Sequence, residues 1–191
     1  MKQNTRTSTP SLTPPVMEAD AINRALRRIA HEIIERNPNL ESVVLAGIPS
    51  RGVEIARRLA GIIESLGKTA VGTGVIDVSM HRDDVGKRAE LPRVQASSLP
   101  LPLEDKTVII VDDVFFTGRT ARAAMDAISS FGRPARIQLA ALIDRGHREL
   151  PIRVDYVGKN LPTAPGERVR LRLENVDGEP DAVWLIKEEM P

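Results

Sequence analysis

The stretch VIIVDDVFFTGRT, residues 108–120, joins four consecutive aliphatic residues to two adjacent carboxylates, Asp112 and Asp113, and then to a Thr-Gly-Arg-Thr turn that opens a helical pattern. A short, wholly apolar run bounded by turn residues reads as a strand buried on both faces, the signature of a parallel sheet. In open α/β sheets ligands bind beyond the carboxyl ends of such strands. The turn over residues 117–120 would aim backbone N–H groups and the hydroxyls of Thr117 and Thr120 at one point at a helix N-terminus, which suits a phosphate. Gly118 lets the backbone approach closely there. The carboxylates ahead of it are suited to hydroxyl groups or to the shell of a magnesium ion. Taken singly, two acids can end a strand and a threonine can cap a helix. The combination describes a sugar-phosphate site.

Working outward, residues 18–36 show a helical period, with Ile22, Leu26, Ile29, Ile33 and Ile34 on one stripe, and Asn37-Pro38 ends it. Residues 42–47 (SVVLAG) read as a second buried strand, 53–66 as a helix stopped by Gly67, and 69–79 as a strand. Residues 81–105 carry prolines, clustered charge and no sustained period, so they read as a long loop. The helix of residues 119–131 and the strand of 136–143 come next, and 153–157, 169–173 and 182–186 are short strand candidates. Strands alternating with helices predict an α/β fold with a mainly parallel central sheet flanked by helices.

Composition narrows the function classes. At 191 residues with 41% hydrophobic and 28% charged residues, the chain suits one ordinary globular domain. Residues 1–16, rich in Ser, Thr and Pro without an apolar core, read as a disordered tail ahead of a single domain over 17–191. No apolar run reaches the length of a membrane helix. The absence of cysteine excludes disulfides, thiol catalysis and cysteine-based zinc sites, and agrees with a cytoplasmic address. A net charge of +1 demands no nucleic-acid partner, so any basic surface must come from clustering. The first helix supplies such a cluster: Arg24, Arg27, Arg28 and His31 fall on one face, opposite the isoleucine stripe. A solvated charged face is the ordinary explanation of that pattern. The histidines lack metal partners at helical spacing, so no protein-held metal site is expected.

With neither a Walker A loop nor a G-x-G-x-x-G fingerprint present, residues 108–120 resemble the motif by which type I phosphoribosyltransferases bind phosphoribosyl pyrophosphate (PRPP). The resemblance implies that Asp112 and Asp113 hold the ribose hydroxyls and that Thr117, Gly118, Arg119 and Thr120 hold the 5′-phosphate. It implies a pyrophosphate loop at Ser50, Arg51 and Gly52, and a flexible hood loop containing Arg82 and Asp83. Family members commonly carry Lys-Thr where this chain has Pro49-Ser50.

The segments DVSMHRDD at 77–84 and DRGHRELPIR at 144–153 narrow the resemblance to a bifunctional branch of the family that regulates pyrimidine operons. Likeness to that branch implies the reaction of uracil with PRPP to give UMP and pyrophosphate, with Mg2+ carried by PRPP and catalysis resting on Asp112, Asp113 and Arg51. It also implies that backbone groups after Ile143 read uracil and that UMP or UTP are effectors. By the same resemblance, attenuator RNA in the mRNA leader would meet Arg24, Arg28, His31, Arg36, His147, Arg148, Arg153 and Lys159, with Arg27 replacing a common Thr. A homodimer or homotetramer is expected. The alternative is a plain salvage phosphoribosyltransferase, for uracil or another base, that binds no RNA.

Overall fold

The computed structural model describes residues 14–79 and 96–187. Much of the expected tail, the hood residues Arg82 and Asp83, and the last four residues lie outside that range. In chain order the elements are β1 (Met17–Glu18), α1 (Ala19–Arg36), a 3-10 turn (Leu40–Ser42), β2 (Val43–Gly47), α2 (Arg51–Gly67) and β3 (Gly72–Val75). Then come β4 (Thr107–Phe115), α3 (Arg119–Ser129), β5 (Arg136–Asp144), β6 (Tyr156–Asn160), β7 (Glu167–Arg172), α4 (Glu174–Asp177) and β8 (Ala182–Lys187).

Five strands form a parallel sheet in the order β3-β2-β4-β5-β6. Successive residues of its central strands feed opposite faces, as the pleat requires. Leu45, Ile109, Val111, Ala140 and Leu142 join α1 and α2 in one core. Ala46, Val108, Ile110, Leu139 and Ala141 join α3 in the other. From β2 the chain crosses to β3 in one direction, and from β4 it crosses to β5 in the other. Right-handed crossovers therefore put α2 and α3 on opposite faces, and the strand order reverses between β2 and β4.

β1, β8 and β7 make a small antiparallel sheet that unites the two ends of the described chain. Leu171, Leu173 and Val183 anchor it in the core shared with α1 and α2. Val16, assigned to the tail on composition, already donates its N–H to the Val183 carbonyl at 2.7 Å. Three other boundaries shift. β3 is shorter than expected and ends at Val75. β4 runs through both acids to Phe115, because its pairing with β5 persists to Asp144. The expected loop of residues 81–105 is packed at its far end, where Ser98 and Val75 exchange hydrogen bonds of 2.8 and 2.9 Å and Leu103 is fully buried.

Candidate functional site

The reversal of strand order places the loops after β2 and β4 side by side at the carboxyl edge of the sheet, where the topology predicts a ligand. After β4 the chain turns at Phe116, Thr117 and Gly118, and α3 begins at Arg119. Gly118 sits at φ +91°, in the left-handed region, and a side chain there would meet Leu150 at 3.4 Å. The segment after β5 braces this turn from outside. The Thr117 carbonyl accepts the N–H groups of Glu149 and Leu150 at 3.0 and 3.2 Å, and the Phe115 carbonyl accepts that of Arg145 at 3.1 Å. A cavity of about 340 Å³ opens over the turn, lined by Asp112, Phe116, Thr117, Gly118, Thr120 and Glu149. Arg119 at its rim pairs with Glu149 at 2.8 Å.

A second cavity of similar size lies on the other side of β4, lined by Asp113, Arg51, Arg168, Arg170, Arg172 and Ile186. The two carboxylates thus address different spaces, as neighbours on a strand do, and Val114 lines both. Asp112 is nearly buried, and its Oδ1 accepts the Asp113 N–H at 2.9 Å. Asp113 Oδ1 accepts the Val114 N–H at 2.8 Å. Ser50 and Gly52 flank Arg51 at the start of α2, and the Pro49–Ser50 peptide is cis. Arg51 donates from Nε and Nη2 to Asp177 at 3.0 and 2.7 Å, and its Nη1 stands 4.0 Å from Asp113 Oδ2. The hydrogen bonds to Asp177 raise the Arg51 guanidinium above its ordinary range against the opposing effect of burial. Burial would raise Asp177, but hydrogen bonds from Arg51, Leu173 and Arg172 outweigh it and hold the carboxyl far below the usual carboxylate range.

The residues matched to RNA binding divide into two groups. Arg28 donates to the carbonyls of Val157 and Gly158 at 2.9 and 2.6 Å and to Glu32 at 2.7 Å, covering the outer edge of β6. Arg36 donates to the Asp155 carbonyl at 3.2 Å and lies over the Tyr156 ring. His147 Nε2 is 2.6 Å from the Thr163 carbonyl oxygen. Arg148 pairs with Asp144 and lies over Phe115, which places it behind the turn after β4 and not with α1. Arg24, Arg27, His31, Arg153 and Lys159 are exposed like these four, but among the described residues they make no side-chain hydrogen bond or ion pair. Arg28 ties α1 to β6 through the Val157 and Gly158 carbonyls.

Sequence reading missed Asp177, Arg168, Arg170, Arg172, Phe116 and Glu149. The alternation Arg-Val-Arg-Leu-Arg at 168–172 was a legible signal, because a strand of that pattern puts its arginines on one face. Asp177 had no local signal, since its partner lies 126 positions away. The backbone expected to read uracil is partly engaged: the Asp144 carbonyl accepts from Leu161 and the Gly146 N–H donates to Asp144 Oδ1.

Comparison with known proteins agrees with this fold. Residues 17–173 match the phosphoribosyl transferase domain. The chain is 56% identical over 170 residues to the bifunctional protein PyrR of Chloroflexus aurantiacus, covering 89% of this chain and 93% of that protein. It is 52% identical over 172 residues to the protein of the same name from a Roseiflexus species, covering 90% and 94%. Among solved structures, the hypoxanthine-guanine phosphoribosyltransferase of Leishmania tarentolae bound to GMP superposes with a TM-score of 0.72 at 17% identity, covering 95% of this chain and all of that one. The hypoxanthine phosphoribosyltransferase of Trypanosoma cruzi with its product IMP gives 0.69 at 18% identity, covering 92% and 90%. These two show a shared fold.

Proposed function

The chain belongs to the PyrR family of phosphoribosyltransferases, and from that premise we propose that it makes UMP and pyrophosphate from uracil and PRPP, and that it binds pyrimidine-gene leader RNA in response to UMP. The observation carrying the enzymatic reading is the pair of cavities on either side of Asp112 and Asp113. A phosphorylated ribose laid over the acid pair has its 5′-phosphate over residues 117–120 on one side. On the other side its pyrophosphate reaches Ser50, Arg51 and Gly52, with Arg82 and Asp83 assigned to the same substrate from sequence alone.

In the reaction the C1′–oxygen bond to pyrophosphate breaks as uracil N1 bonds to C1′ and gives up its proton to the departing pyrophosphate or to water. Positive charge develops on the ribose ring, and the carboxylates at the strand end, Asp112 on the side of residues 117–120 and Asp113 on the side of Arg51, stabilise that charge without reorganising. Arg51, held cationic, stabilises the departing pyrophosphate. Mg2+, which phosphoribosyltransferases use with PRPP, takes most of its ligands from phosphate and water and needs only one or two carboxylates. Asp112 and Asp113 fit that demand. When bound, the ion neutralises phosphate charge. Incubation with PRPP and a panel of uracil, cytosine, hypoxanthine and guanine tests the reading: UMP alone is expected, and a purine nucleotide as the main product refutes it.

The RNA reading is favoured by exposed Arg24, Arg27, His31 and Lys159 along α1 and β6. With few aromatic residues in the chain, phosphate and polar contacts must serve instead of stacked rings. Filter binding of a leader hairpin against a scrambled RNA, with and without UMP, tests it. Equal binding of the two RNAs leaves a plain uracil phosphoribosyltransferase. No described helix is long and apolar enough to cross a membrane. A homodimer or homotetramer working in the cytoplasm is part of the proposal, and sedimentation measures the assembly.

A further inference from the structure

The geometry points to Asp177 as the residue that positions Arg51 for pyrophosphate, an inference that rests on the assignment of Arg51 above. Asp177 belongs to the small sheet's connection and not to either loop of the parallel sheet. Each of its oxygens accepts from two groups. Oδ1 takes Arg51 Nη2 and Arg172 Nη1, both at 2.7 Å, and Oδ2 takes Arg51 Nε at 3.0 Å and the Leu173 N–H at 2.9 Å. The carboxylate is only 6% exposed, so it is a fixed, saturated anion.

The grip is side-on. It uses the Nε/Nη2 edge of the guanidinium and leaves Nη1 pointing toward Asp113 at 4.0 Å, on the wall of the arginine-lined cavity. A free arginine carries several rotatable bonds, and ordering it on a ligand costs much of its side-chain entropy. A forked carboxylate that has already ordered it removes that cost from the binding step. Arg172, on the same carboxylate, is tied to the same geometry.

Asp177→Asn keeps the shape but replaces one acceptor by an NH2 group facing a donor. The expected result is about a tenfold loss of affinity for pyrophosphate and a matching rise in KM for PRPP. UMP affinity should stay at the wild-type value, because UMP carries no pyrophosphate. A role confined to anchoring α4 would disturb UMP and pyrophosphate together. Calorimetry with inorganic pyrophosphate and with UMP, on wild type, Asp177→Asn, Arg51→Ala and the double variant, makes the test. If Asp177 acts through Arg51, the double variant is no weaker for pyrophosphate than Arg51→Ala alone. Arg51→Lys keeps the charge but cannot donate the forked pair, so it serves should Asp177→Asn fold poorly: about a tenfold loss of pyrophosphate affinity with UMP affinity unchanged is expected, and wild-type pyrophosphate affinity overturns the positioning role. If Arg51→Ala binds pyrophosphate as well as wild type, the site assignment fails. If it binds weakly while Asp177→Asn binds normally, or more tightly because a restraining contact is gone, the positioning role is overturned and the site assignment stands.

Discussion

Gly52→Ala probes the join between the two loops of the site. A Cβ at Gly52 would lie 2.4 Å from the Val111 carbonyl oxygen and 3.3 Å from Asp112 Cα. Ordinary contact begins at 3.4 Å, so the first distance falls short by 1.0 Å (3.4 − 2.4). The obstacle is backbone of the central strand, and the same oxygen already accepts the Ile48 N–H at 2.9 Å. It cannot rotate aside, so the start of α2 must retreat by about 1 Å and carry Arg51 away from Asp113. Alanine gains about 1 kcal/mol in helix propensity, while overpacking costs about 1–3 kcal/mol. The net loss of stability is therefore small, about 0–2 kcal/mol. A misplacement of that size in a positioning group costs about a hundredfold in rate. Gly52→Ala should remain folded at 25 °C and lose about two orders of magnitude in kcat/KM for PRPP. Initial rates beside a urea melt give both quantities. Wild-type kcat/KM in a variant of wild-type stability would show that the helix does not press on the strand as described, and would remove the steric reason for glycine at this position.

Asp113→Asn keeps the local hydrogen bond to Val114 but removes the charge, so turnover of uracil with PRPP should fall about a hundredfold with the melting temperature unchanged. Gly118→Val forces a β-branched residue into φ +91° against Leu150, and calorimetry should find UMP binding lost while thermal unfolding stays cooperative. For Glu54, burial raises the carboxyl, but hydrogen bonds from Arg57, Arg58 and Asn175 outweigh it and bring it down to about 2 from its usual 4.5. A depressed carboxylate stabilises above its unfolded value, so its contribution is complete at neutral pH and is lost as pH falls from about 4.5 toward 2. That contribution is up to about 3 kcal/mol, reduced because Arg57 is solvent-exposed. Glu54→Gln should lower stability at pH 7 and flatten the loss between pH 5 and 2 in urea melts. Arg27→Ala and Lys159→Ala should weaken leader RNA binding without changing UMP synthesis, each lowering the slope of log affinity against log salt by about 0.7 in filter binding.

The buried strands and the turn after β4 were legible because their causes are local. A run such as Val108-Ile109-Ile110-Val111 has one use in an α/β protein, and a Thr-Gly-Arg-Thr turn ahead of a helical period positions its own N–H groups. The alternation of strands with helices named the fold class for the same reason. Boundaries set by pairing were not legible: β4 runs on through both acids because β5 continues beside it, and Val16 is ordered because Val183 is there to receive its N–H.

The site shows the same division. Residue types for the acids, the phosphate turn and Arg51 stand in the sequence by themselves, together with the basic character of one face of α1. Folding decided which space each acid addresses. It engaged Arg28 with Gly158 and Arg148 with Asp144, and it brought Asp177 across 126 positions to hold Arg51. Local pattern records what a segment can do with its own backbone and hydrophobic period. A charged side chain's partner is settled only when topology brings distant segments together, because a long, flexible cation pairs with whichever carboxylate or carbonyl the packed core leaves within reach.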